Sequence, residues 1–165
     1  MKVDENKKIM IGICGGSWKN SGVGKTTVAN ILAKNFGFHP VSFIDPVKDI
    51  AKRMYGWDGI MDDNAKVTLD RICRTGREIS EHYWRDMAII RIPADKKRIV
   101  FDDVYFDNEF RVIVENGGII LKVVKKGFET PIIPCMTVEI NNDGTLQDLQ
   151  RSVLLAVNEA LPMVL

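Results

Sequence analysis

Residues 15 to 27 read Gly-Gly-Ser-Trp-Lys-Asn-Ser-Gly-Val-Gly-Lys-Thr-Thr. An apolar run, Ile9 to Cys14, precedes them, and a helical apolar pattern follows from Val28 to Ala33. A glycine-rich loop between a strand and a helix is the context of a phosphate-binding site. Glycines let backbone N–H groups turn inward around phosphate oxygens, and the helix start adds its unpaired N–H groups and its positive dipole end. In that setting Ser21, Gly22, Val23, Gly24, Lys25, Thr26 and Thr27 form the nucleotide cradle. Lys25 would reach the β- and γ-phosphates, and the Thr26 hydroxyl would sit on Mg²⁺. The usual spacing puts the first glycine at position 19, where Lys19 stands, and Gly16 lies further upstream. This predicts an inserted, longer loop around Trp18, Lys19 and Asn20. The plain alternative is a glycine turn that binds nothing.

A second chemical candidate is Asp102-Asp103, at the end of the apolar run Ile99-Val100-Phe101. An acidic residue there can meet Mg²⁺ opposite the loop Thr, or it can only cap the next helix. Adjacent side chains at a strand end point opposite ways, so one can do each. The residues alone do not say which of the two faces the metal. Asp45-Pro46-Val47-Lys48 follows another short apolar run. Asp45 either binds substrate or caps a helix, and Lys48 either reaches a phosphate or is solvated. Arg71, Arg74 and Arg77 recur every third residue, along one side of a helix. Guanidinium groups bind two phosphate oxygens each and suit a monophosphate; the alternative is a solvated face paired with Asp70, Glu78 and Glu81. Trp84 could stack on a base or belong to the core. Lys122, Lys125 and Lys126 precede a loop that could fold over phosphates, and Arg85, Arg91 and Arg111 are further sources of positive charge.

The elements that must position these groups follow from periodicity. Strands are expected at Lys8 to Cys14, Val41 to Ile44, Ile99 to Phe101, Ile119 to Val124 and Thr137 to Ile140. Helices are expected at Thr26 to Phe36, stopped by Gly37; at Val47 to Tyr55, with Asp45 as cap and Pro46 at the first position; in two pieces over residues 64–90, broken at Gly76; at Asn108 to Glu115; and at Leu146 to Ala160. Strands alternating with helices imply a mostly parallel sheet with helices on both faces. Ligands then bind beyond the carboxyl ends of the strands, where the candidate loops converge.

The chain has 165 residues, 45% hydrophobic and 27% charged, with a formal net charge of +1. That suits one soluble domain and predicts neither nucleic-acid nor membrane binding. Cys14, Cys73 and Cys135 are far apart and odd in number, which argues against a disulfide framework or a zinc site. The charged N-terminus does not read as a signal peptide, and no apolar run approaches a bilayer span. A cytoplasmic location is expected.

Taken in order, three segments resemble the phage-type deoxynucleoside monophosphate kinase family, within the P-loop nucleoside monophosphate kinases. They are Phe43 to Ala51 with Tyr55-Gly56-Trp57-Asp58, then Val100 to Phe110 with Gly117 to Val123, then Ile140 to Leu146. The similarity covers roughly residues 8 to 158. It implies an α/β, three-layer P-loop NTPase fold with a five-stranded, mostly parallel sheet. It also implies a single kinase domain with a core over about 8–44 and 97–160, and a helical monophosphate-binding insertion over about 45–96. The implied reaction transfers the γ-phosphoryl group of ATP, with Mg²⁺, to a (deoxy)nucleoside monophosphate. By the same resemblance Lys25 and Thr26 hold the ATP phosphates and the metal, and Asp103 matches the acidic position of the second signature, which makes it, with Lys25, the implied catalytic residue and, with Thr26, the implied metal ligand; Asp45, Lys48 and Arg71 to Arg77 lie where the monophosphate is held, and Asn142 to Thr145, Gly144 included, border the adenine. Position 105 is Tyr where relatives tend to carry Arg. Two other readings stand beside this one: a kinase for another small phosphorylated or hydroxyl acceptor, and a degenerate nucleotide-binding protein. A guanine-specific switch would need Asn-Lys-x-Asp after a strand, and Asn141-Asn142-Asp143-Gly144 does not supply it. A homodimer is left open.

Overall fold

A computed structural model describes residues 8–17, 22–133 and 135–161. Five strands form one sheet: β1 (Ile9–Cys14), β2 (His39–Val41), β3 (Arg98–Phe101), β4 (Ile119–Val124) and β5 (Val138–Asn141). Their spatial order is β2-β3-β1-β4-β5. β1 pairs in parallel with β3 and with β4, and β4 pairs in parallel with β5. Among the described residues six helices accompany them, three in succession between β2 and β3 and none between β4 and β5: α1 (Lys25–Phe36), α2 (Asp45–Tyr55), α3 (Asp63–Ile79), α4 (Tyr83–Ile90), α5 (Asp107–Glu115) and α6 (Leu146–Ala160). The expected α/β architecture is therefore the observed one.

The chain forms two compact units, Met1–Pro40 with Ala94–Leu165, and Val41–Pro93. In the first, β1 sits at the centre of the sheet and explains its own sequence. Its residues are nearly all buried, because parallel strands are covered on both faces. Ile11 and Ile13 point to one face and pack with Val28 and Leu32 of α1 and Leu149 and Val153 of α6. On the other face Gly12 lies under Ile113 of α5 and Ile120 of β4. Both layers thus close on one strand, and that strand delivers the chain to Gly15.

The second unit has its own apolar cluster. Val47 and Ala51 of α2, Leu69, Ile72 and Cys73 of α3, and Trp84 of α4 make it up. Here two expectations are corrected. Gly76 does not break the helix, since α3 runs through it to Ile79. The indole of Trp84 occupies the space where a Cβ at position 76 would be, and its N–H donates to Cys73 O at 2.9 Å. The glycine serves packing, not termination. Asp45 is not an N-cap either: it is the first residue of α2, after Ile44. Its Oδ2 accepts from Ser42 N at 3.3 Å, while its own N–H donates to Ser42 O at 3.2 Å.

That turn also displaces β2. The strand expected at Val41 to Ile44 is observed at His39–Val41, because residues 42–44 are committed to entering α2. Pro40 is tolerated in β2 because β2 is an edge strand, where a missing N–H removes no ladder bond. α6 matches its expected span and is opened by Thr145, which accepts from Asp148 N at 3.2 Å while Asp148 accepts from Thr145 N at 2.9 Å. No helix among the described residues is long and apolar enough to cross a membrane.

Gly76→Ala discriminates between the two roles of that glycine. In an exposed helix the change would stabilise by about 1 kcal/mol. Against the indole of Trp84 the overlap should win, and we expect a net loss of about 1–3 kcal/mol, typical of overpacking, read from the denaturant midpoint and the tryptophan emission.

Candidate functional site

The site is built where β1 hands over to α1. Lys25 opens α1, directly after Gly24, and its side chain is buried. Its Nζ reaches back across the loop and donates to Gly15 O at 2.8 Å. The last residue of the loop is thereby tied to its first. On its other side Nζ lies 5.1 Å from the centroid of the Tyr105 ring, within range of a cation–π attraction. Val23 is buried beneath the loop, whereas Gly22 and Thr26 are exposed. Thr27 is half-buried. Ser21, and the insertion expected at Trp18, Lys19 and Asn20, lie outside the described residues.

Asp102 and Asp103 follow β3 immediately, and both are half-buried. Val104 N–H donates to Ile13 O at 3.1 Å, which ties this turn to the end of β1 and so to the base of the loop. Oδ1 of Asp102 is buried and accepts no hydrogen bond among the described residues, while both residues make other contacts. Thr26 and this pair offer hard oxygen donors, the chemistry Mg²⁺ requires. Among the described residues no group of three or more His, Cys, Asp or Glu could hold a metal by itself. Mg²⁺ bound with a nucleotide does not need one: it takes one or two carboxylates, and phosphates and water supply the rest. The residues present therefore fit the ion.

Tyr105 is held in place by a residue that sequence reasoning missed. Glu109 is buried, and its Oε2 accepts from Tyr105 N at 2.8 Å and Phe106 N at 3.0 Å. The signal was available: a Glu three residues into a helix is half of a capping box. Here the carboxylate caps the start of α5 and sets the turn that carries Tyr105 to Lys25.

Two loops from the far edge of the sheet support the phosphate loop. Asn142 donates from Nδ2 to Val23 O at 2.8 Å. The ring of Phe128 lies beside Gly22. Lys125 sits 5.6 Å from the Phe128 ring, and Lys122 pairs with Glu139 at 3.2 Å. Gly144 is in the turn before α6, against Asp148. Asp143 anchors that turn. Its carboxyl is held below the usual range, first by the N–H of Lys126, which donates to Oδ1 at 2.6 Å, and then by Asn141.

The substrate-side candidates all belong to the second unit. Lys48 lies 3.8 Å from Asp45, a half-exposed pair of little energetic weight. Arg71, Arg74 and Arg77 are exposed on α3, opposite to or flanking its buried face of Leu69, Ile72, Cys73 and Gly76. Arg74 pairs with Asp70 through Nε at 3.0 Å. Arg85 pairs with Asp86 and Arg91 with Asp49. Trp84 is corrected from base stacking to packing, since its ring and its N–H are both engaged within the helical cluster.

Cys14 ends β1 in the same neighbourhood. Burial pushes its thiol up to about 12; Cys135 adds to the push, while Lys122 and Lys25 oppose it.

No family model matches the chain. A protein of Acanthamoeba polyphaga mimivirus, provisionally named a deoxynucleotide monophosphate kinase, is 26% identical over 198 residues, covering 94% of this chain and 99% of that protein. Three solved structures share the fold. A provisionally named kinase of Chloroflexus aurantiacus aligns with a TM-score of 0.55 at 12% identity, over 94% of this chain and 99% of that one. A gluconokinase of Sinorhizobium meliloti gives 0.53 at 14%, over 94% of each chain. A sugar kinase of Janibacter gives 0.51 at 16%, over 95% and 98%. At such identities the likeness shows the fold alone, an α/β fold with a mostly parallel five-stranded sheet.

Two measurements check the site's supports. Glu109→Ala leaves the part-buried N–H groups of Tyr105 and Phe106 without their acceptor and should cost about 1 kcal/mol, the scale of a lost hydrogen bond, read from equilibrium unfolding. The raised Cys14 thiol favours the folded state only while it stays protonated. That contribution is complete below the ordinary cysteine value of 9.0 and is lost as pH rises from there towards about 12. Cys14→Ala should therefore flatten the alkaline fall in stability across that window, relative to the parent chain.

Proposed function

We propose that the chain is an ATP-dependent phosphotransferase that moves the γ-phosphoryl group of ATP to a (deoxy)nucleoside monophosphate. The observation that carries this reading is the buried Lys25, returned from the start of α1 to Gly15 O across a glycine loop, with Asp102 and Asp103 tied to the same strand end. The monophosphate acceptor is supported by the name of the mimivirus relative and by the arginines of α3.

In-line phosphoryl transfer asks little covalent chemistry of the protein; positioning and charge neutralisation do most of the work. Lys25 exchanges a backbone carbonyl for phosphate oxygens, which are stronger partners. The N–H groups at the start of α1 orient the same phosphates, with the helix dipole behind them. Thr26 and Asp103, with Asp102 beside it, would hold Mg²⁺, which when bound neutralises charge on the transferring group. On the acceptor side Arg71, Arg74 and Arg77 present forked donors, and Lys48 a point charge. Arg74 must release Asp70, but exposed pairs of this kind contribute only about 0–1 kcal/mol, so a doubly charged phosphate can displace it. Tyr105, near Lys25, adds no formal charge where an arginine would.

The test is ADP release coupled to a detection system, across a panel of nucleoside and deoxynucleoside monophosphates with gluconate and simple sugars as counter-candidates. We expect stimulation by at least one monophosphate, and a loss of about 10²–10³-fold in Lys25→Ala, the scale for removing one charge-stabilising donor, with the fold retained by circular dichroism. Full activity in that variant would place the site elsewhere. Stimulation by sugars alone would overturn the acceptor class.

A further inference from the structure

Asn142 stands one residue beyond β5, and its backbone N–H donates to Val124 O at 2.9 Å, which extends the β4–β5 ladder by one step. The turn it belongs to is stiff. Asn141 and Asp143 exchange hydrogen bonds, from Asp143 N to Asn141 Oδ1 at 2.8 Å and from Asn141 Nδ2 to Asp143 Oδ2 at 3.2 Å. Lys126 N–H fastens Asp143 to the neighbouring loop, and Thr145 with Asp148 closes the turn from the helix side. A side chain carried on such a turn has a defined direction.

That direction is toward the phosphate loop. The Asn142 amide donates to Val23 O at 2.8 Å. It also fills the space in which a Cβ at position 24 would stand, and Gly24 has a φ of 107°, in the left-handed region. Gly24 is therefore required twice, once for its backbone conformation and once for the close approach of the amide.

The peptide unit between Val23 and Gly24 is planar and trans, so its C=O and its N–H point in opposite directions. Fixing the carbonyl of Val23 on Asn142 fixes the N–H of Gly24 on the reverse side. We propose that Asn142 is a positioning residue of the phosphate loop: its amide locks the Val23–Gly24 peptide so that the Gly24 N–H is aimed at the bound phosphates before any nucleotide arrives. The role rests on the reading of this loop as a phosphate site. It differs from a contact with the adenine, because it acts on every ligand that carries the phosphates, whatever the base.

The experiment compares calorimetric binding of ADP, GDP and inorganic tripolyphosphate to the parent chain, Asn142→Ala and Asn142→Asp. Alanine removes the donor; aspartate sets a carboxylate oxygen against the Val23 carbonyl. We expect all three ligands to weaken by a common factor, about tenfold for the alanine variant, the scale of one lost hydrogen bond, and more for aspartate. A loss confined to ADP, with tripolyphosphate unchanged, would make Asn142 a base contact and overturn the inference, as would unchanged binding of all three. If a variant melts below the assay temperature, Asn142→Ser supplies the comparison. Equal losses support the inference even where no acceptor stimulates ADP release, so a failure of the proposed transfer reaction is distinguishable. A parent chain that binds none of the three would defeat both.

Discussion

The bond from Lys25 to Gly15 closes the loop on which the whole arrangement turns. A lysine Nζ removed from water needs partners, or its burial is expensive. Among the described residues it meets the Gly15 carbonyl and the face of Tyr105. The same bond ties Lys25, at the start of α1, to Gly15, just after β1.

Everything around that bond restricts its motion. β1 is central and covered on both faces, so the start of the loop cannot shift without disturbing two layers of packing. Glu109 fixes the turn that carries Tyr105, and Val104 fastens the same turn to Ile13. From the other edge, Asn142 and Phe128 meet the second half of the loop. These supports come from β3, β4 and β5 in turn. A parallel sheet places the carboxyl ends of all its strands on one side, so residues far apart in the chain reach one short segment.

The helical unit is organised by different means. Its centre is an indole seated on a glycine, with no strand to template it. Its arginines are exposed and either lightly paired or held by contacts at the helix surface. Weak surface pairs are easily exchanged for other partners.

Much of this was legible in the chain itself. Gly-Lys-Thr at a strand-to-helix boundary, Asp-Asp after an apolar run and the alternation of elements are local patterns, and local patterns follow from steric and hydrogen-bonding rules that need no distant partner. The span of α6, the stop at Gly37 and four of the five strands follow for the same reason. Tertiary structure alone decided the rest. Whether Gly76 breaks a helix or admits an indole depends on Trp84, eight residues on. Whether residues 42–44 extend a strand depends on the hydrogen bonds that commit them to α2. That Glu109 serves Tyr105, and Asn142 serves Val23 across more than a hundred residues, comes from strand order. No periodicity encodes that order, because it is set by which buried surfaces fit together once the sheet has formed.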